Sequence, residues 1–113
     1  MDCVFCKIAT GEIPGDFVYK DEEVLAFRDI NPIAPTHILI VPKKHVVSLV
    51  QLTEQDLPMV AKMVQIASDL AQKEGIAERG YRLVINTGKD GTQLVQHLHL
   101  HLIGGRQLSG RIG

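Results

Sequence analysis

Histidine and leucine alternate regularly over residues 96–103 of the chain. Successive side chains of a strand point to opposite sides, so His97, His99 and His101 would share one face and three leucines the other. The leucine face has the character of a core surface. At the usual strand rise the three imidazoles would lie roughly 6.6 Å apart. The pattern predicts a half-buried strand with a row of imidazoles on its second face.

Four other segments have the character of strands. Residues 17–20 and 23–28 predict a hairpin, residues 36–42 are nearly all apolar and predict a central strand, and residues 81–86 predict a fourth strand. One long helix is predicted over residues 54–74, with Thr53 as its N-cap and Gly75 just beyond its end. Its polar stripe is narrow, so we expect the helix to pack on the sheet and to meet a partner subunit.

The order of these segments favours the α+β class. Strands follow one another through turns, without repeated alternation with helices, which favours an antiparallel sheet with the helix on one face. The 113 residues are expected to form a single domain. Residues 1–15 make an N-terminal segment that carries two cysteines and a short helical turn or loop, and residues 104–113 make a polar tail with no assigned structure.

Charge and composition exclude several classes of partner. The net charge is −1, which gives no basic field for nucleic acid or for an anionic membrane. No apolar run approaches the roughly 18 residues of a membrane span, and the start of the chain lacks the features of a secretory signal peptide. We therefore expect a cytoplasmic protein.

Three features carry candidate chemistry. The histidine row suits metal binding, or nucleophilic and acid–base catalysis by neutral imidazoles. A loop over residues 86–94 contains glycines whose backbone N–H groups can converge on an anion, although an ordinary hairpin loop would look similar. Cys3 and Cys6 have the spacing of half a tetrahedral zinc site, and a redox or unligated thiol pair is the alternative.

The motif His97-x-His99-x-His101 followed by two apolar residues resembles the histidine triad (HIT) family. With the rest of the chain, it is most similar to the small branch of nucleoside phosphoramidases. The resemblance covers nearly the whole chain. It implies a five-stranded antiparallel sheet with one long helix and a short N-terminal helix, and a homodimer whose sheet continues across the interface.

The resemblance also implies roles for three histidines. His99 would be the nucleophile, and His101 would hold the α-phosphate and assist the leaving group. His37, in residues 34–37, matches the family's fourth active-site histidine. The implied activity is hydrolysis of the P–N bond of purine nucleoside 5′-phosphoramidates through a nucleotidyl-histidine intermediate. Diadenosine polyphosphate hydrolysis and a non-catalytic nucleotide- or zinc-binding regulator are the alternatives.

Nucleotide-binding positions follow from the same resemblance. Asp29 would accept hydrogen bonds from the ribose hydroxyls, and Ile30 would pack on the base. The loop would bind phosphate through Asn86, Gly91, Thr92, Gln93 and Leu94. The family usually has glycine, glutamine and serine near the last three positions, so Leu94 departs from the pattern because it has no hydroxyl.

A structural zinc ion is the one cofactor that the resemblance implies. Several bacterial-type members of the family hold zinc with a cysteine pair and two histidines, which match Cys3, Cys6, His45 and His97 here. Catalysis itself would require no cofactor.

Overall fold

The computed structural model describes residues 3–112. Two helices and five strands follow one another in the order α1 (Val4–Thr10), β1 (Phe17–Lys20), β2 (Val24–Arg28), β3 (Thr36–Pro42), α2 (Leu57–Lys73), β4 (Tyr81–Val84) and β5 (Leu100–Gly104). Two short 3-10 turns, Leu49–Gln51 and Glu54–Asp56, precede α2. The predicted α+β architecture with a five-stranded antiparallel sheet, one long helix and a short N-terminal helix is confirmed.

The sheet has the strand order β1-β2-β3-β5-β4, and every neighbouring pair is antiparallel. β3 is central and all seven of its residues are buried, as its nearly continuous apolar sequence predicts. β5 lies between β3 and β4, so the strand that follows the glycine-containing loop occupies the interior of the sheet.

Each face of the sheet has its own apolar cluster. On one face, Ile38, Ile40, Leu100 and Leu102 pack against α2. On the other face, Leu25, Phe27, Leu39 and Val41 pack against Phe5 and Ile8 of α1. Successive side chains of a strand point to opposite faces, so residues of one strand belong to different clusters. The polar residues on the same face as the second cluster therefore face α1 and not α2.

The long helix begins later than predicted. The Thr53 N–H and hydroxyl donate to Asp56 Oδ2 at 3.0 and 3.1 Å, and residues 54–56 form a 3-10 turn before the α-helix begins at Leu57. Pro58 occupies the first turn, where its missing N–H costs no helical hydrogen bond. The helix continues to Lys73, close to the predicted end.

Gly75 ends the helix in the left-handed region, with a φ of 74°. The Ile76 N–H bonds to the Ala71 carbonyl at 3.0 Å, and the Gly75 N–H bonds to the Gln72 carbonyl at 3.1 Å. This pairing satisfies carbonyls that the last helical turn leaves without partners, and it favours glycine at this position.

The histidine strand is shorter than predicted. β5 begins at Leu100, and residues 97–99 lie outside the sheet ladder. The His97 N–H bonds to the Val95 carbonyl at 2.9 Å, and the Leu98 N–H bonds to the Val46 carbonyl at 2.7 Å, so a local turn and a bond to the segment after β3 replace strand pairing. The leucines still face the core, but the three imidazoles do not act as one row, because His97 faces Cys3, Cys6 and His45 whereas His99 and His101 line the cavity described below. Within residues 3–112 no helix is long and apolar enough to span a membrane.

Candidate active site and metal centre

Three histidines meet on the α1 face of the sheet. His37 lies near the start of β3, and His101 of β5 pairs with Leu39, whose side chain belongs to the α1-face cluster. His99 immediately precedes β5, and its ring centroid is 4.9 Å from that of His101. The rings of His37 and His101 are 5.2 Å apart. The structure therefore brings together the three residues that the sequence singled out for catalysis.

The hydrogen bond of His99 defines its tautomer. Its Nδ1 lies 2.7 Å from the main-chain carbonyl oxygen of His97. A carbonyl oxygen can only accept, so Nδ1 carries the proton and the neutral ring has its lone pair on Nε2. His99 is buried but lines the cavity described below. A fixed ring with an unprotonated nitrogen beside a cavity is suited to nucleophilic attack.

A second chain of hydrogen bonds orients His37 and His101. The Ile33 N–H donates to His37 Nδ1 at 3.2 Å, so the proton of neutral His37 is on Nε2. This Nε2 lies 2.9 Å from His101 Nδ1, which must accept, and the proton of His101 is therefore on its own Nε2. The Asp29 carboxylate lies 3.5 Å from His37 Nε2 at the same point.

Burial keeps this pair neutral at physiological pH. Burial, and then the neighbouring His99 and His37, lower the pKa of His101 to about 4. Burial also lowers the pKa of His37, although Asp29 opposes the shift. A neutral His101 with its proton on Nε2 can donate a hydrogen bond to an anionic oxygen or to a departing nitrogen.

A cavity of about 970 Å³ opens beside the histidines. α1 contributes Val4, Phe5 and Ile8 to its wall, and the segment after β2 contributes Asp29 and Ile30. The loop before β5 contributes Asn86, Thr92, Leu94 and Val95. Ile30 and Leu94 line the cavity mouth, and each is 91% exposed. A ligand bound in the cavity can cover these large apolar side chains.

Glycine and side-chain amides shape the loop of residues 86–93. A Cβ on Gly91 would lie 2.3 Å from the Thr87 carbonyl oxygen, so this position has room only for glycine. Asn86 Nδ2 donates to the Gly91 carbonyl at 2.8 Å. Thr92 has a φ of 60°, a backbone conformation that residues other than glycine rarely adopt.

Gln93 has its side-chain amide fully engaged within the protein. Its Oε1 accepts from the Gly88 N–H at 3.0 Å, and its Nε2 donates to the carbonyls of Val47 at 2.6 Å and Val95 at 3.0 Å. The residue is buried and does not line the cavity. Of the five loop residues singled out from the sequence, Asn86, Thr92 and Leu94 line the cavity, whereas Gly91 and Gln93 shape the loop behind it.

A separate cluster contains Cys3, Cys6, His45 and His97. One donor atom from each lies within 4.8 Å of the others. Cys3 Sγ is 3.3 Å and Cys6 Sγ is 3.6 Å from His97 Nδ1, and Cys6 Sγ is 3.3 Å from His45 Nδ1. Zinc bonds of about 2.3 Å to sulfur and 2.0–2.1 Å to nitrogen imply tetrahedral ligand separations of about 3.4–3.8 Å, so this donor set fits the ion.

The orientation of His97 also fits a metal ligand. Its Nε2 lies 2.7 Å from the Pro42 carbonyl oxygen, so the proton is on Nε2 and the lone pair of Nδ1 points to the two thiols. Such a carbonyl partner commonly fixes a metal-binding histidine. Burial lowers the pKa of His97, which keeps the ring neutral, and burial together with Cys3 raises the pKa of the Cys6 thiol.

Phe5 is a site residue that the sequence analysis missed. It lies between the two cysteines in the sequence, and its ring meets the edge or face of His97 at 5.8 Å and of His99 at 5.0 Å between centroids. The Ile33 N–H was also missed, because a backbone donor has no sequence signal. The one sequence feature that could have indicated Phe5 as a site residue is its position between two candidate metal ligands.

Comparison with known proteins defines the class. A model of the HIT domain matches residues 10–108. The purine nucleoside phosphoramidase of Escherichia coli (strain K12) is 47% identical over 107 residues, which cover 95% of this chain and 90% of that protein. A 14 kDa zinc-binding protein of Zea mays is 49% identical over 108 residues, covering 94% and 84%.

The fold is also found among solved structures. A HIT family hydrolase from Legionella pneumophila superposes with a TM-score of 0.96 at 51% identity, covering 99% of this chain and all of that one (100%). The fold that carries the imidazole cluster is therefore shared with this hydrolase over nearly the whole length of both chains. The chain belongs to the HIT family.

Proposed function

We propose that the protein is a nucleotide hydrolase that cleaves purine nucleoside 5′-phosphoramidates through a nucleotidyl-His99 intermediate. The observation that carries the proposal is the bond from His99 Nδ1 to the His97 carbonyl, which leaves the Nε2 lone pair beside the cavity. The family and the phosphoramidase relative support a hydrolase acting on this class of substrate.

In the first step His99 Nε2 bonds to the α-phosphorus while the P–N bond breaks. The departing nitrogen takes up one proton from the solvent, while the neutral His101, oriented by the His37–His101 hydrogen bond, donates its Nε2–H as a hydrogen bond to a phosphate oxygen. In the second step water attacks phosphorus, the bond to His99 breaks, and the proton of the water replaces the one that the amine removed. The products are the free amine and the nucleoside monophosphate.

The nucleotide is proposed to lie in the cavity beside the histidines. Asp29 would accept from the ribose hydroxyls, since a carboxylate is a good acceptor for two neighbouring O–H groups. Ile30, exposed at the mouth, would cover the base. Asn86, Thr92 and the backbone at Leu94 would face the phosphate, with Gly91 and Gln93 holding the loop in shape.

The direct test uses phosphoramidates that release a fluorescent amine. Rapid mixing of the purified protein with the adenosine and guanosine compounds should give a burst of amine close to one per active site, because the covalent intermediate forms before it is hydrolysed. Diadenosine polyphosphates serve as the comparison substrates. A protein that binds nucleoside monophosphates but turns over no phosphoramidate would contradict the proposal.

We also propose one structural zinc ion per chain, held by Cys3, Cys6, His45 and His97. The donor spacing and the lone-pair direction of His97 Nδ1 support it, and four protein ligands would leave no open position for substrate. The ion would connect α1 to the segment before β5 and would add to folding stability without taking part in the reaction.

A homodimer is proposed through β4, which is the sheet edge next to β5. Its residues Tyr81–Val84 are all partly exposed, so an antiparallel copy of the same strand can extend the sheet about a two-fold axis. Leu57 and Val64 of α2 are 54% and 44% exposed. Light scattering behind a sizing column should give twice the mass of the chain, and the mass of one chain at micromolar concentration would contradict the dimer.

A further inference from the structure

His97 links the metal-ligand cluster to the proposed nucleophile His99. His97 contributes Nδ1 to the cluster, and its main-chain carbonyl accepts the Nδ1–H of His99 at 2.7 Å. The side chain and the carbonyl of one residue therefore face two different sites. Any rotation of the His97 backbone would move the acceptor on which the tautomer of His99 depends.

This segment is held by bonds outside the sheet ladder, including one from the Leu98 N–H to the Val46 carbonyl at 2.7 Å. Residues 97–99 lie outside the β5 ladder, and the His97 N–H bonds to Val95 rather than to a neighbouring strand. The side chain of His97 is fixed at Nε2 by the Pro42 carbonyl and at Nδ1 by the two thiols. Bonding between Nδ1 and the centre is thus one of the restraints on the orientation of His97, the residue whose carbonyl holds the His99 ring.

Phe5 provides a second connection. It lies between Cys3 and Cys6 on α1, is 5% exposed, and contacts both imidazole rings. Its ring is also supported by Phe27 at 5.6 Å between centroids. Because both cysteines flank Phe5, ligation of the thiols would fix the aromatic ring against which His99 rests.

From these contacts we propose that the Cys3–Cys6–His45–His97 centre is a positioning device for His99, so that binding of zinc there makes the nucleophile competent. Cys3, Cys6, His45 and Phe5 are then positioning residues that act through the His97 carbonyl and the His99 ring. This proposal rests on the proposed function for its catalytic consequence, and it goes beyond a stabilising role for the ion. The metal supplies no step of the reaction.

The first measurement concerns the His99 ring itself at neutral pH. With ¹⁵N-labelled histidine, the zinc-loaded protein should show one tautomer of His99, protonated on Nδ1. The double variant Cys3→Ser/Cys6→Ser should show exchange between two tautomers or a broadened signal. One equivalent of zinc added to chelator-treated wild type should restore the single tautomer, and the same addition to the variant should change nothing.

The second measurement is kcat at a temperature where each protein is fully folded. The double variant should lose about tenfold or more in kcat, a transition-state cost of roughly 1.4 kcal/mol. The matched control is Ile66→Ala, which removes buried volume under α2 on the opposite face of the sheet and lowers stability without touching either site. The control should keep the wild-type kcat and the single tautomer of His99.

The outcomes separate the two proposals. If the variant keeps both the single tautomer and a kcat within about twofold of wild type, the centre is only structural and this inference is wrong. A zinc response that persists in the double variant would also overturn it, since the ion would then act elsewhere, for example at Asp29, His37 and His101. If wild type hydrolyses no phosphoramidate, the proposed function fails, while the tautomer measurement still decides the coupling.

Discussion

At the scale of single residues, the chemistry depends on where each imidazole carries its proton. Three histidines have three different hydrogen-bonding arrangements: His99 donates from Nδ1 to a carbonyl, His97 donates from Nε2 to a carbonyl, and His101 accepts at Nδ1 from His37. The sequence could identify the residues but not these hydrogen-bonding arrangements, because two of the three partners are backbone groups. Neighbouring histidines thus acquire different chemistry from their hydrogen-bond partners.

Removal of the proposed nucleophile is the first prediction. His99→Ala should reduce kcat/KM by at least about a thousandfold, because the variant lacks the Nε2 atom that is proposed to form the covalent intermediate. His99 is buried, so the alanine variant also leaves a cavity, and His99→Asn is the control that fills most of it. Both should bind nucleoside monophosphates and neither should turn over. Retention of more than about a tenth of kcat/KM would exclude the assignment.

Asp29→Asn should weaken ribonucleotides more than 2′-deoxyribonucleotides. Charge-assisted hydrogen bonds are roughly twice as strong as neutral ones, and only the ribose offers both hydroxyls to the carboxylate. Calorimetric titration of the two monophosphates into the wild type and the variant measures the difference. An equal loss for the two sugars would count against a ribose contact and in favour of a role through His37, which Asp29 approaches at 3.5 Å.

The low pKa of His101 makes stability depend on pH. Its pKa is 6.5 in an unfolded chain and about 4 in the fold. Between these values the unfolded chain binds the proton and the native protein does not, so the free energy of unfolding falls as the pH drops from 7 to 4. Complete titration corresponds to up to about 3 kcal/mol. Urea unfolding of the wild type and His101→Asn at pH 7 and 4.5 should show a smaller loss in the variant, and equal losses would contradict the shift.

At the scale of secondary structure, periodicity predicted the strands well where both faces are packed. β3 was predicted with its observed bounds of Thr36–Pro42, because a nearly continuous apolar segment of this length is typical of a central strand that is covered on both faces. The predicted strand of residues 81–86 ends earlier, at Val84, where its pairing with His101 ends. The start of β5 could not be predicted, since alternation alone does not show that His97 leaves the ladder toward α1.

The loop before β5 gives a prediction at this scale. Gly91→Ala should lower the free energy of unfolding by about 1–3 kcal/mol, because its methyl group would meet the Thr87 carbonyl oxygen at 2.3 Å. Nucleotide affinity should fall with it, since the loop lines the cavity. Gly110→Ala is the control, as it has open space around it and should change stability by less than about 0.5 kcal/mol. Urea unfolding and calorimetric titration report the two effects, and an unchanged Gly91→Ala protein would contradict the crowding.

At the scale of the whole molecule, α1 is a small element that reaches the sheet chiefly through Phe5 and Ile8, and the proposed zinc would fasten it. The purified protein should contain about one zinc per chain, because two thiolates and two imidazoles at tetrahedral separations complete a closed site. Chelation should lower the melting temperature, since binding free energy of a metal held only in the native state adds to folding stability. Elemental analysis of protein purified without added metal or chelator measures the content. Absence of zinc, or zinc retained in Cys3→Ser/Cys6→Ser, would leave α1 held by its apolar contacts alone.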